Sequence, residues 1–327
     1  MLQIENLRVA YLHDNRRSVA VRDVSFDVPT GATVGLVGES GSGKTTVALS
    51  VMRLIRPPIG DIEAGSVRLD GVDLLKLSNK AMRTTLHGDI GYIPQDPTAA
   101  LDPLCKIGRH VDETLSPKIP KAERRALIIS LLESLGVRNA ATRLGSYPHE
   151  FSGGMCQRVA IATALARGPK LVIADEPTTA LDVTTQLSIL RLLDAQRRER
   201  NLSMLFVTHD LAVAQMLCQY VVVMYAGEVV EKGPTAEVIQ RPRHPYTRAL
   251  VGAIPQPTDK SRARLRAIPG QPPAPAQDRV GCPFAPRCPL AADACKVMPE
   301  LKELDGVEVA CWKAGVEEEP RVVAETR

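Results

Sequence analysis

The chain has 327 residues, more than one average domain, and its 44% hydrophobic and 24% charged residues are the balance of an ordinary water-soluble protein with an ample core. A net charge of +4, dispersed along the sequence, excludes the concentrated basic surface that nucleic-acid binding needs. Met1-Leu2-Gln3-Ile4-Glu5 opens no basic-then-apolar leader, and no stretch approaches the roughly 18 apolar residues of a membrane span. A soluble, cytoplasmic chain that meets a membrane only through partners is expected.

Two β-like runs come first, Leu2 to Tyr11 and Val19 to Val28, around the polar turn Asp14-Asn15-Arg16-Arg17. Tyr11 lies where its ring could stack on an adenine or pack on its own sheet. The apolar run Ala32 to Val37 then leads into Gly38-Glu39-Ser40-Gly41-Ser42-Gly43-Lys44-Thr45, which fits G-x-x-x-x-G-K-[ST], and Thr46 to Arg53 reads as a helix. Strand, glycine-rich turn and helix are the order a phosphate-binding loop requires. Its glycines let successive N–H groups face phosphate oxygens, and the helix start adds its positive dipole end. Lys44 should reach the β- and γ-phosphates, and Thr45 should offer its hydroxyl to Mg²⁺.

Pro57-Pro58 ends the helix, and Gly65 to Gly71 reads as a strand closed by an Asp-Gly turn. Asp89 to Pro97 is a strand broken by proline, with Gln95 on the loop after it. Helical periodicity then holds from about 98 to 166, clearest over Lys121 to Leu135 and stopped by Gly136. Inside it Ser152-Gly153-Gly154 opens a helix running to Arg167, a second N-terminus with free N–H groups for phosphate. Lys170 to Ala174 is a continuous apolar strand of the kind buried on both faces, and it delivers Asp175-Glu176 at its C-terminal end. Carboxylates at that edge of an open α/β sheet face the phosphate loop, one suited to Mg²⁺ and the other to a water that must lose a proton. After Thr179-Ala180-Leu181-Asp182 and a helix over Thr184 to Arg200, the strand Met204 to Thr208 brings His209 to the same edge, where it can contact the γ-phosphate.

In order and spacing, the phosphate loop, Gln95, Ser152-Gly153-Gly154, Asp175-Glu176, Thr179 to Asp182 and His209 resemble an ATP-binding cassette (ABC) ATPase, over roughly residues 1 to 250. The resemblance implies an α/β P-loop NTPase fold with an antiparallel β subdomain and a helical subdomain at about 98–166. It implies ATP and Mg²⁺ as ligands, with Thr46, Gln157 and Asp182 joining Tyr11 and residues 38–45 around the nucleotide. Glu176 becomes the candidate general base and His209 its γ-phosphate partner. Gln95 senses Mg²⁺ and water, and Thr45 and Asp175 complete the Mg²⁺ shell. In this family Ser152, Gly153 and Gly154 act on the partner's nucleotide, so two cassettes must close on two ATP molecules. Where family signatures carry an arginine, this chain has Cys156.

Arg243-His244-Pro245-Tyr246-Thr247-Arg248-Ala249-Leu250, followed by a Pro-rich, Cys-containing extension, resembles the dipeptide/oligopeptide importer branch, which nickel importers share. That implies an ATP-hydrolysing subunit on the cytoplasmic face of the membrane. A second, related ATPase would pair with it beneath two permease subunits fed by a solute-binding protein. A non-transport ABC ATPase acting on ribosomes or DNA is the alternative from another class, though neither a second cassette nor a coiled-coil insertion is present.

The cassette should occupy residues 1–253 and the extension 254–327. Pro255, Pro257, Pro269, Pro272, Pro273 and Pro275 predict a linker or loosely wrapped arm, and Glu317-Glu318-Glu319-Pro320 a disordered tail. Of seven cysteines, Cys105, Cys156 and Cys218 are scattered and read as inert, whereas Cys282, Cys288, Cys295 and Cys311 have five, six and fifteen residues between successive members. Four thiols so close in a cytosolic chain read as metal ligands. The gaps exceed the two to four residues or so of a zinc knuckle, and Cys-Pro pairs occur in iron–sulfur loops, so a 4Fe-4S cluster is expected ahead of zinc. The importer branch can carry such a cluster on this arm.

Overall fold

In the computed structural model, residues 1–13, 16–179, 181–254, 268–273 and 280–315 are described. The chain opens with strands β1 (Leu2–His13) and β2 (Arg16–Val28), then β3 (Thr33–Val37) and helix α1 (Lys44–Val51). Next come β4 (Gly60–Leu69), β5 (Val72–Asp73), α2 (Asn79–Gly88) and β6 (Ile90–Ile93). A helical stretch follows: α3 (Pro97–Ala100), α4 (Ile107–Asp112), α5 (Lys121–Ser134), α6 (Ala140–Arg143) and α7 (Gly153–Leu165). The second half runs β7 (Leu171–Asp175), α8 (Val183–Arg200), β8 (Ser203–Thr208), α9 (Leu211–Leu217), β9 (Tyr220–Tyr225) and β10 (Glu228–Pro234). It ends with α10 (Thr235–Gln240), α11 (Pro245–Gly252), β11 (Lys302–Leu304) and β12 (Val307–Val309).

These strands form an antiparallel sheet in the order β2-β1-β4-β5 and an eight-stranded sheet in the order β11-β12-β10-β9-β3-β8-β7-β6. In the larger sheet β9, β3, β8, β7 and β6 are mutually parallel, and every residue of β3, β7 and β8 is buried. Alternation of side chains assigns their residues to two cores. Leu36, Ile173, Leu205 and Val207 join the antiparallel sheet and α1, whereas Val37, Val172, Ala174 and Phe206 join the helical stretch and α8. A sheet covered on both faces needs the uninterrupted apolar runs that the sequence shows.

A four-stranded antiparallel sheet and a helical stretch between 97 and 165 are present. The extension differs from expectation. Residues 302–309 form a hairpin whose β12 pairs with β10, continuing the main sheet, with Val307 and Val309 buried. Ahead of it Phe284 is 1% exposed, its ring 5.3 Å from that of Tyr225 and 5.4 Å from that of Tyr246. These residues are therefore built into the core rather than loosely wrapped. The hairpin's signal was Asp305-Gly306, whose φ angles of 51° and 77° are those of a tight turn. Pro255, Pro257 and Pro275, the acidic tail, Asp14, Asn15 and Ala180 lie outside the described residues.

A direct consequence follows for stability. Phe284→Ala should cost roughly 3–5 kcal/mol, as truncating a fully buried aromatic does, and lower the denaturant midpoint with the slope unchanged. An unchanged midpoint would show that the segment packs independently of the cassette.

Candidate active site

The phosphate loop leaves β3 and enters α1 through glycines that no other residue could replace. A Cβ on Gly38 (φ 157°) would lie 2.1 Å from the carbonyl oxygen of Met224, and one on Gly43 (φ 98°) 2.7 Å from that of Ala20. Lys44, 4% exposed, folds its ammonium back to donate to the carbonyls of Gly38 (2.8 Å) and Glu39 (2.9 Å). Burial draws its pKa down, while Glu176, Asp175 and Glu39 pull the other way.

The ends of β7 and β8 supply the facing wall. Thr45 donates its hydroxyl to Asp175 Oδ1 at 3.2 Å, and Asp175, 2% exposed, has its pKa raised by burial. Glu176 adopts φ 45°, a left-handed conformation unusual for a residue with a side chain. Its Oε2 meets the Thr179 hydroxyl at 3.0 Å, His209 Nδ1 at 3.0 Å and the Gln95 amide at 3.4 Å. An open cavity of about 640 Å³ joins these groups: Glu39, Ser40, Gly41, Gly43 to Thr46, Gln95, Glu176, Thr179 and His209 all line it. Ser42 is buried beneath the loop, its backbone carbonyl accepting from the Gly227 N–H at 3.0 Å. Tyr11 reaches the same helix start, its hydroxyl 3.4 Å from that of Thr46.

The remaining predicted residues stand apart from this cavity. Ser152 and Gly153 are exposed at the start of α7, and Gly154 packs against α8, where a Cβ would meet Thr185 at 2.5 Å. Asp182 caps α8 through the Thr185 N–H at 3.0 Å. Gln157 is 1% exposed with neither amide atom hydrogen-bonded among the described residues, and Cys156 is wholly buried, its thiol 3.5 Å from the Pro148 carbonyl. Cys156 thus faces the interior of the helical stretch.

Other contributors were not singled out from the sequence. Tyr92 on β6 bonds to Asp175, and burial pushes its pKa to about 12. Its place on the strand beside β7 was the available signal. Tyr246 accepts the Glu39 N–H at 2.8 Å, and Arg287 pairs with the Glu39 carboxylate at 2.7 Å. Buried Glu231 fixes the approach of α11 by accepting the N–H groups of Arg243 (2.8 Å) and His244 (2.9 Å).

Cys282, Cys288, Cys295 and Cys311 line one pocket with room for about 10 Å³, the lower limit for a single water. Burial raises the thiol pKa of Cys311, and that of Cys282 to about 11. Among the described residues no group of three or more Cys, His, Asp or Glu stands as a metal-holding set. The donor chemistry suits a thiolate-bound metal, but the side-chain placement does not form its site.

Residues 21–179 match the family described as ABC transporter, and residues 230–295 match the oligopeptide/dipeptide transporter C-terminal region. A Brucella ovis peptide import ATP-binding protein, whose name marks that assignment as provisional, is 46% identical over 90% of this chain and 91% of its own. The Haemophilus influenzae oligopeptide transport ATP-binding protein OppD is 41% identical over 95% of this chain and 97% of its own. The chain belongs to the ATP-binding subunits of ABC transporters. The dipeptide transport ATP-binding protein DppD of Bacillus subtilis is 40% identical over 95% of this ABC subunit and 94% of its own length. Among solved structures, a dimeric bacterial ABC transporter cassette matches with a TM-score of 0.65 at 28% identity, covering 72% of this chain and 99% of that one. The same cassette in a post-hydrolysis dimer bound to ADP and phosphate gives 0.64 at 28% identity, with the same coverage. No helix among the described residues is long and apolar enough to cross a membrane.

Proposed function

We propose that this ABC subunit hydrolyses ATP to energise import of di- and oligopeptides, working at the cytoplasmic face of the membrane beneath two permease subunits. The observation that carries the reading is one chain holding both an ATP-type phosphate site and the oligopeptide/dipeptide C-terminal region. The names of its relatives support the solute class.

Within the site, Lys44 and the loop N–H groups hold the phosphates, while Thr45, Asp175 and Gln95 offer the hard oxygen ligands that Mg²⁺ prefers. Bound Mg²⁺ would neutralise charge developing on the transferred phosphoryl group. Glu176 takes the proton of the attacking water, with His209 and Thr179 fixing its carboxylate. The exposed turn at Ser152 and Gly153, remote from the chain's own cavity, is free to complete the site of a partner. A related, non-identical ATPase is the proposed partner, with a solute-binding protein delivering the peptide.

We further propose that the cassette occupies 1–253 and the extension 254–327, and that the four C-terminal thiols, once drawn together, hold a 4Fe-4S cluster. What supports this reading is that all four thiols line one pocket, although as placed they do not form the site. Anaerobically purified protein should carry iron and sulfide and a brown absorbance, whereas stoichiometric zinc would replace the cluster and neither would remove the metal.

Uptake of labelled dipeptides, oligopeptides and Ni²⁺ tests the transport reading in cells deleted for the chain and complemented with it. Peptide uptake restored only on complementation supports it. Restoration of Ni²⁺ alone would move the solute to nickel, and indifference of every solute, with co-purification on ribosomes, would overturn transport.

A further inference from the structure

We propose that Arg287, in the cysteine-bearing segment, is a positioning residue of the phosphate loop. It holds and neutralises Glu39, and so makes nucleotide affinity depend on how the C-terminal segment is folded. This rests on the ATP-binding reading above.

Arg287 lies 248 residues from Glu39 in sequence, yet its side chain is only 4% exposed. One terminal nitrogen donates to Glu39 Oε2 at 2.7 Å and to the Tyr225 hydroxyl at 3.1 Å, the other to Glu39 Oε1 at 3.0 Å and the Ile268 carbonyl at 3.3 Å. Nε donates to the Pro269 carbonyl at 2.8 Å. The guanidinium carbon lies 5.7 Å from the centre of the Tyr225 ring and 5.9 Å from that of Phe284. A planar fork, paired with both carboxylate oxygens and stacked on aromatic rings, is a geometry that lysine cannot reproduce.

The target of that fork is the second residue of the phosphate loop. Glu39 is fixed at three points: its side chain by Arg287, its N–H by the Tyr246 hydroxyl at 2.8 Å and its carbonyl by Lys44 at 2.9 Å. Two of these three come from beyond the matched cassette region of 21–179. Glu39 also lines the nucleotide cavity. An uncompensated carboxylate there would repel a triphosphate, and the sheltered guanidinium cancels it without the solvent screening that weakens exposed pairs.

A purely structural role, in which Arg287 only anchors its own segment, predicts something different. Removing Glu39 could then never repair the loss of Arg287. With the full-length chain and ATPγS as probe, Arg287→Gln should weaken binding on the order of tenfold, the size of losing one charge-assisted pair. The double variant Glu39→Gln/Arg287→Gln should bind more tightly than Arg287→Gln alone, because the unpaired charge is gone. In ATPase assays KM should rise more than kcat falls. Should Arg287→Gln not fold, Arg287→Lys keeps the charge without the fork and is expected to bind less tightly than wild type.

Binding by Arg287→Gln, or by Arg287→Lys in its place, equal to wild type would overturn the role. A double variant no better than the single one would overturn it as well, leaving only the anchor. Failure of the wild-type chain itself to bind ATPγS would instead fell the ATP reading, and this role with it.

Discussion

Glu176→Gln should lower ATP turnover in the assembled transporter by on the order of 10² or more while nucleotide binding persists, as loss of a general base does. The three contacts to its carboxylate, from Thr179, His209 and Gln95, all fall on Oε2. Oε1 carries no hydrogen bond among the described residues and is the atom that can accept a proton from water. Glutamine preserves shape and the Thr179 contact but removes the basic oxygen, so kcat should fall with the nucleotide Kd little changed. Single-turnover hydrolysis beside equilibrium binding separates the two. Near-normal turnover would move the base elsewhere, with His209 the first group to test.

The second large effect lies at the other end of the cavity. Lys44→Ala should weaken nucleotide binding by roughly 10- to 100-fold, the range for losing a hydrogen bond to a charged group. Solute uptake should be lost with it. The ammonium now rests on the carbonyls of Gly38 and Glu39, so its turn to the phosphates exchanges neutral acceptors for anionic ones. Burial has already lowered its pKa, which means the free protein gives up this proton at lower pH than an exposed lysine would. A bound triphosphate favours the charged form and raises the pKa again, so binding takes up a proton and weakens as pH rises through the free-state value. The wild type should show that alkaline loss of affinity and Lys44→Ala should lack it. An identical alkaline profile in both would assign the proton to another group.

Much of the cassette was legible because its chemistry is local. Residues 38–45, between an apolar strand and a helix, declare a phosphate loop, and the apolar runs ending at Asp175 and Thr208 must be strands buried on both faces, which brings Glu176 and His209 to one edge. The contacts of residue 39 were illegible for the opposite reason. Tyr246 and Arg287 reach it across 207 and 248 residues, and nothing in their neighbours' pattern marks such a contact. Prolines misled the reading of the C-terminal segment, since they argue against regular elements where they stand but say nothing about the proline-free stretch 300–315. There two strands of only three residues each escape a periodicity test, although their Asp-Gly turn was in plain view.

The placement of that small hairpin bears on how the protein behaves in a crowded cell. Without β12, the backbone donors and acceptors of Glu231 and Lys232 would lie along an open, Val-rich margin, a template on which another chain could add a strand. With it in place, the outermost strand is β11, too short to recruit a neighbour and bearing exposed Lys302 and Glu303. A chain clipped ahead of residue 280 would thus be expected to self-associate through β10. The C-terminal segment that braces the phosphate loop through Arg287 thus also keeps the sheet, through β11 and β12, from growing beyond one molecule.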